Sequence, residues 1–108
     1  MSEEQNEIDI YETLRFKKAL NKLSKKQLKI VEDEIDKILT NPEIGNIKKG
    51  DLSYLRVHKF KMNRQEVLLG YSWLKDKIEI YLLHISSHEN FYQNMKNKRK
   101  IDLNLITP

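Results

Sequence analysis

Three stretches decide the fold: LSYLRVHKF (residues 52–60), EVLLGYSW (66–73) and IEIYLLHI (78–85). In each, apolar side chains recur at every second position, the spacing of a strand and not of a helix. In the first stretch Leu55 and Val57 point one way, while Tyr54, Arg56, His58 and Phe60 point the other. In the second, Val67, Leu69, Tyr71 and Trp73 share a face. The third is apolar on both faces, which predicts a central strand. Met62-Asn63-Arg64-Gln65 and Leu74–Lys77 are connections of hairpin length, so the three strands are expected to be antiparallel neighbours.

Upstream of the strands the period is helical. Leu14, Phe16, Leu20 and Leu23 predict a first helix over residues 10–22. Ser24-Lys25-Lys26-Gln27 fits a capping box that opens a second helix. Leu28, Val31, Ile35, Ile38 and Leu39 line that helix until Thr40-Asn41-Pro42 stops it, because proline disfavours helical geometry in the residue before it. Residues 43–51 read as a loop. Downstream, Ser86 or Ser87 is placed to cap a last helix over residues 88–98, with Glu89 early and Lys96 and Lys98 late, as the helix dipole favours. The fold class expected is α+β. Two antiparallel N-terminal helices pack on one face of a small antiparallel sheet of three to four strands, a short C-terminal helix follows, and the other face, carrying Arg56 and His58, stays partly open.

Composition narrows the classes. At 108 residues the chain is long enough for one core, so residues 1–108 read as a single domain. The absence of cysteine excludes a disulfide scaffold, a thiol nucleophile and a cysteine zinc site. No apolar run approaches the ~20 residues that span a bilayer. The start, MSEEQNEIDIYE, lacks the apolar segment of a signal peptide, so the cytoplasm is the expected compartment and no membrane partner is expected. Charge is uneven. Residues 1–12 carry five acids and no base, whereas the remaining 96 residues carry all twenty bases and eleven acids, a net +9. Residues 1–10 therefore read as a flexible acidic tail, and the basic body suits a polyanion such as nucleic acid.

The residues with chemistry to offer are few. His84, His88 and Glu89 do not make a convincing metal site, since His84 ends a strand and no third ligand is in view. No glycine-rich phosphate loop and no nucleophile-elbow serine is present, and no cofactor is implied. His88 stands where the third strand meets a helix start, and four residues on, Tyr92 shares its side of the helix. An imidazole exchanges protons near neutral pH. A guanidinium such as Arg56 neutralises charge developing on phosphorus. Together these groups suit cleavage of RNA through its own 2′-hydroxyl, which needs no metal.

Several stretches resemble the RelE/ParE superfamily of bacterial type II toxins. They are the helical pair through Asn41-Pro42, Lys48-Lys49-Gly50-Asp51-Leu52-Ser53, Leu55-Arg56-Val57-His58-Lys59-Phe60, Val67-Leu68-Leu69-Gly70-Tyr71 and, most specific, Ser87-His88-Glu89-Asn90-Phe91-Tyr92. The resemblance implies a compact α+β toxin silenced by a cognate antitoxin. For RelE-like members it implies an mRNA interferase, an endoribonuclease that cuts mRNA on the ribosome and arrests growth by stopping translation. For ParE-like members it implies inhibition of DNA gyrase without nuclease activity. Carried over to this chain, the catalytic set is His88 for proton transfer, Arg56 for phosphate charge, Tyr92 for orienting the nucleotide and His58 as an assistant. Lys59, Lys61, Arg64, Lys96 and Arg99 would touch the nucleic acid. Nuclease members often carry an arginine in the second strand, where residues 67–71 here have none.

Overall fold

The computed structural model describes residues 7–107. Its elements run β1 (Asp9–Glu12), α1 (Leu14–Asn21), α2 (Lys25–Thr40), β2 (Asn46–Ile47), a 3₁₀ turn (Gly50–Leu52), β3 (Arg56–Met62), β4 (Gln65–Leu74), β5 (Glu79–Ser87) and α3 (His88–Ile106). The five strands form one mixed sheet in the order β1-β5-β4-β3-β2. The β3–β4 and β4–β5 pairings are antiparallel, as the hairpin-length connections require. The two-residue turn at Asn63-Arg64 has both residues at positive φ, the conformation whose twist matches the flanking strands.

Two strands are additional to the expected set. β1 pairs in parallel with β5, with Ile10 opposite Ile80 and Tyr11 opposite Tyr81, and the two tyrosine rings stack at 4.8 Å. Asp9 and Ile10 thus belong to an edge strand and not to a tail, and Ile8 packs against the core; residues 1–6 of the expected tail lie outside the described residues. β2 pairs with β3 inside the stretch expected to be loop. Helix α1 starts only at Leu14, because Thr13 caps it by accepting the Phe16 N–H at 3.0 Å and donating to Leu83 O at 2.7 Å. The Ser24–Gln27 capping box is present in both directions, at 3.2 and 3.0 Å.

The larger departure concerns the faces. α1 and α2 cover one face through Phe16, Val31 and Ile38, which pack with Val67, Leu69, Tyr71, Ile80, Leu82 and Ile85. The other face is not open. α3 runs eight residues beyond the expected end at Lys98 and lays Phe91 and Met95 on Leu52, Leu55, Val57, Leu68 and Leu83. A register shift at Gly70/Tyr71 pairs Gly70 with His84 and Tyr71 with Leu82, leaving Leu83 over. Leu83 therefore joins the α3-side core while Leu82 and Ile85 serve the opposite one. Gly70 is required by packing: a Cβ there would stand 2.7 Å from Phe91 Cζ and 3.0 Å from Leu55 Cδ1.

Candidate functional site

Each sheet face carries its own polar chemistry, and the faces separate residues that strand parity had grouped. Leu55 and Val57 belong to the α3 side, so Arg56, His58 and Phe60 face α2. Arg56 is spent on backbone there. Its Nη1 donates to Gly45 O at 2.9 Å and Glu43 O at 3.3 Å, fastening the loop after α2. His58 Nε2 meets Glu34 Oε1 at 2.7 Å, and the other oxygen of Glu34 accepts from Lys37 Nζ at 2.9 Å. Burial pushes the Glu34 carboxyl up, but the hydrogen bonds from His58 and Lys37 and the charge of Lys37 outweigh it and hold it below the ordinary value. The expected grouping of Arg56 and His58 with His88 and Tyr92 around one open surface is therefore corrected: His58 lies against α2, and Arg56, on the same face, holds the loop that follows α2.

His88 is the first residue of α3, immediately after β5, and is exposed. Ser87 occupies the N-cap position but its hydroxyl makes no capping bond, and Ser86 Oγ donates to Ser87 O. The expected serine cap is thus one of position only. Phe91, fully buried against Gly70 and Leu55, anchors this first turn. The anchor fixes what stands beside it: the His88 and Tyr92 rings lie 6.1 Å apart, edge to face, and Phe91 and Tyr92 meet at 5.1 Å. Residues 88, 92 and 96 recur every fourth position, so Lys96 continues the stripe. Arg99 donates from Nε to Asp51 O at 2.8 Å, tying α3 to the 3₁₀ turn.

Lysines surround this stripe. Lys59 and Lys61 share parity with Leu55 and Val57, so they stand exposed on the α3 face. Arg64 is exposed at the β3–β4 turn. One cation was not singled out from sequence. Lys48, whose N–H is bonded to Leu55 O at 2.9 Å, holds its Nζ 5.4 Å from the centre of the Tyr92 ring. Its signal in the sequence was only its place in the Lys48–Ser53 stretch of the resemblance.

His84 belongs to a separate, half-buried cluster. Arg15 Nε donates to His84 Nδ1 at 3.3 Å, and the Asn94 amide lies 3.4 Å from Nε2. Arg15 also grips both oxygens of fully buried Asp102 at 2.9 and 2.7 Å. Burial and the Arg15 charge push His84 down to about 4, against a smaller opposing pull from Asp102. This cluster joins α1, β5 and α3. A cavity of about 660 Å³ between α1 and α3 is an open groove past Arg15 and Asp102, with Leu14, Ile101 and Leu105 exposed in its walls; His88 does not line it. Among the described residues no three of His, Asp and Glu converge as metal ligands, and no helix is long and apolar enough to cross a membrane.

A basic α+β fold with a mixed sheet, a helix on its second face and an exposed His88 beside Tyr92 at that helix's start defines the class. A family model described as the ParE-like toxin of type II bacterial toxin-antitoxin systems matches residues 10–96, and the chain belongs to that family, within the RelE/ParE superfamily. Solved structures agree in fold. A double mutant of Escherichia coli RelE in the free state superposes with a TM-score of 0.67 at 15% identity, covering 87% of this chain and 97% of that one. The RelE chain matched in the intact E. coli RelBE toxin-antitoxin complex gives 0.62 at 17%, covering 77% and 99%. Isolated E. coli RelE gives 0.60 at 16%, covering 84% and 98%. No curated protein matches the chain in sequence.

Proposed function

We propose that this toxin is a ribosome-dependent, metal-independent mRNA endoribonuclease whose centre is the first turn of α3. The observation that carries this reading is the exposed imidazole of His88 beside the Tyr92 phenol, on a face bordered by Lys59, Lys61 and Lys96. His88 takes the proton from a ribose O2′, which attacks the adjacent phosphorus. The P–O5′ bond breaks, the proton passes to O5′, and a 2′,3′-cyclic phosphate and a 5′-hydroxyl result. Tyr92 orients the nucleotide by ring contact. Lys59, Lys61, Arg64, Lys96 and Arg99 follow the phosphates. Arg56 and His58 drop out of the expected catalytic set, because they serve the α2 face. The partner that silences the toxin is a cognate antitoxin; an acidic or amphipathic segment docked across the basic face suits its charge.

The test is brief induction in bacteria with mapping of mRNA 5′ ends, beside a His88→Ala control. New cuts inside translated frames, absent from the control, support the nuclease. Intact mRNA with arrested growth moves the target to DNA gyrase. That second reading is favoured by the family's ParE-like description and by the lack of an arginine in residues 67–71. An undisturbed supercoiling assay would dispose of it.

A further inference from the structure

Cleavage through the 2′-hydroxyl piles negative charge on phosphorus, so the site needs a free cation beside the imidazole. Arg64 stands exposed at the β3–β4 turn, where it follows the phosphates along the strand, and the other arginines near the sheet are engaged elsewhere. Arg56 is on the α2 face with its Nη1 on two carbonyls, Arg15 is locked to Asp102, and Arg99 spends its Nε on Asp51 O. We propose that Lys48 is the catalytic cation, receiving the phosphate of the scissile RNA linkage between its ammonium and the His88 imidazole. The proposal rests on the endoribonuclease reading and deepens it.

Three features support Lys48. Its backbone is fixed by the bond to Leu55 O just before β3, so its side chain leaves from a rigid point. Its Nζ lies over the Tyr92 ring at 5.4 Å, and the same ring contacts His88 at 6.1 Å, so cation and imidazole border one phenol. Among the described residues Lys48 makes no ion pair and donates no side-chain hydrogen bond to a neighbour, in contrast to Lys29 and Lys37 on α2, each held by a carboxylate. A ring face draws a cation without engaging its N–H groups in directed bonds. All three donors of Lys48 therefore stay available to phosphate oxygens. When RNA enters, the phosphate replaces the ring as the principal partner of the ammonium, and the vacated ring face receives a base.

The experiment uses the full chain with Lys48→Met, which keeps the stem and removes the charge, and Lys48→Arg, which keeps a charge. Cuts are read by 5′-end mapping in cells. In parallel, binding of purified protein to a short single-stranded RNA is titrated against salt. Lys48→Met is expected to lower cleavage by about a hundredfold or more. It should also reduce the log–log salt slope by about 0.7, the loss of one phosphate contact on a single strand. Lys48→Arg should recover most of both. Should Lys48→Met lower the melting temperature, Lys48→Gln repeats the test. Wild-type cleavage by Lys48→Met, or an unchanged salt slope, overturns the role of Lys48 alone. Absence of cuts from the wild type, matching His88→Ala, overturns the nuclease reading and Lys48 with it.

Discussion

His58 and His88 sit on opposite faces of one sheet, and helices cover the two differently. α2 crosses over His58 and brings Glu34, so the imidazole is 11% exposed and holds a carboxylate at 2.7 Å. α3 begins at His88, so no later turn of that helix covers it, and its ring stands 6.1 Å from that of Tyr92. The same residue type has thus become a packing partner in one place and a solvent-facing imidazole in the other. A polar residue alternating with core residues identifies a face of the sheet, but whether that face meets water depends on which helix lands on it.

The sharpest way to break the contrast is to detach α3. Asp102→Ala would leave Arg15 without its partner and remove the tie between α1 and α3. The expected cost is about 3–5 kcal/mol, read by urea denaturation. A loss below about 1 kcal/mol would mean that α3 is held by Phe91 and Met95 alone. Gly70→Ala attacks the same face from beneath, since its new methyl meets Phe91 and Leu55. A loss of about 1–3 kcal/mol is expected, with a disturbed His88–Tyr92 geometry visible as shifted aromatic NMR signals.

Acid should sharpen the contrast more gently. His84 is held down to about 4, so between that value and about 6.5 the unfolded chain takes up a proton that the folded one refuses. Its contribution is complete above about pH 6.5 and is lost as pH falls toward 4. The expected size is about 1–2 kcal/mol, below the full shift because the ring keeps some solvent contact. The Glu34 carboxyl, held below its ordinary value, adds its own loss at lower pH. A stability curve flat from pH 7 to 4 would contradict the His84 contribution. The smallest effect belongs to Arg56→Ala. It removes two donations to the loop after α2, about 1 kcal/mol by thermal denaturation, and should leave growth arrest intact. Relief of arrest by a folded Arg56→Ala variant would return Arg56 to the site.

Some of this is legible in the sequence alone. Val67, Leu69 and Tyr71 alternate clearly enough to fix β4. Ser24 and Gln27 announce the start of α2 by local hydrogen bonding. The Ser87–Tyr92 stretch marks the first turn of α3, where His88 and Tyr92 do meet. β1 was not legible, because four residues with Ile10 and Tyr11 as their apolar members carry too little pattern, and the partner strand lies about 70 residues away. Arg15 and Asp102, 87 residues apart, give no local sign of each other.

The sequence by itself determined the element types in the helical pair and the three long strands, the hairpin connections, the basic body and the His–Tyr spacing. Each of these follows from neighbours a few residues apart, where backbone geometry and side-chain period act directly. Only the tertiary structure decided that a fifth strand closes the edge and that α3 covers the second face. It alone set His58 against α2, Arg56 on the loop that follows it and Lys48 over Tyr92. Those outcomes depend on which apolar faces find each other across the whole chain, and a local pattern of alternation is compatible with either face being covered.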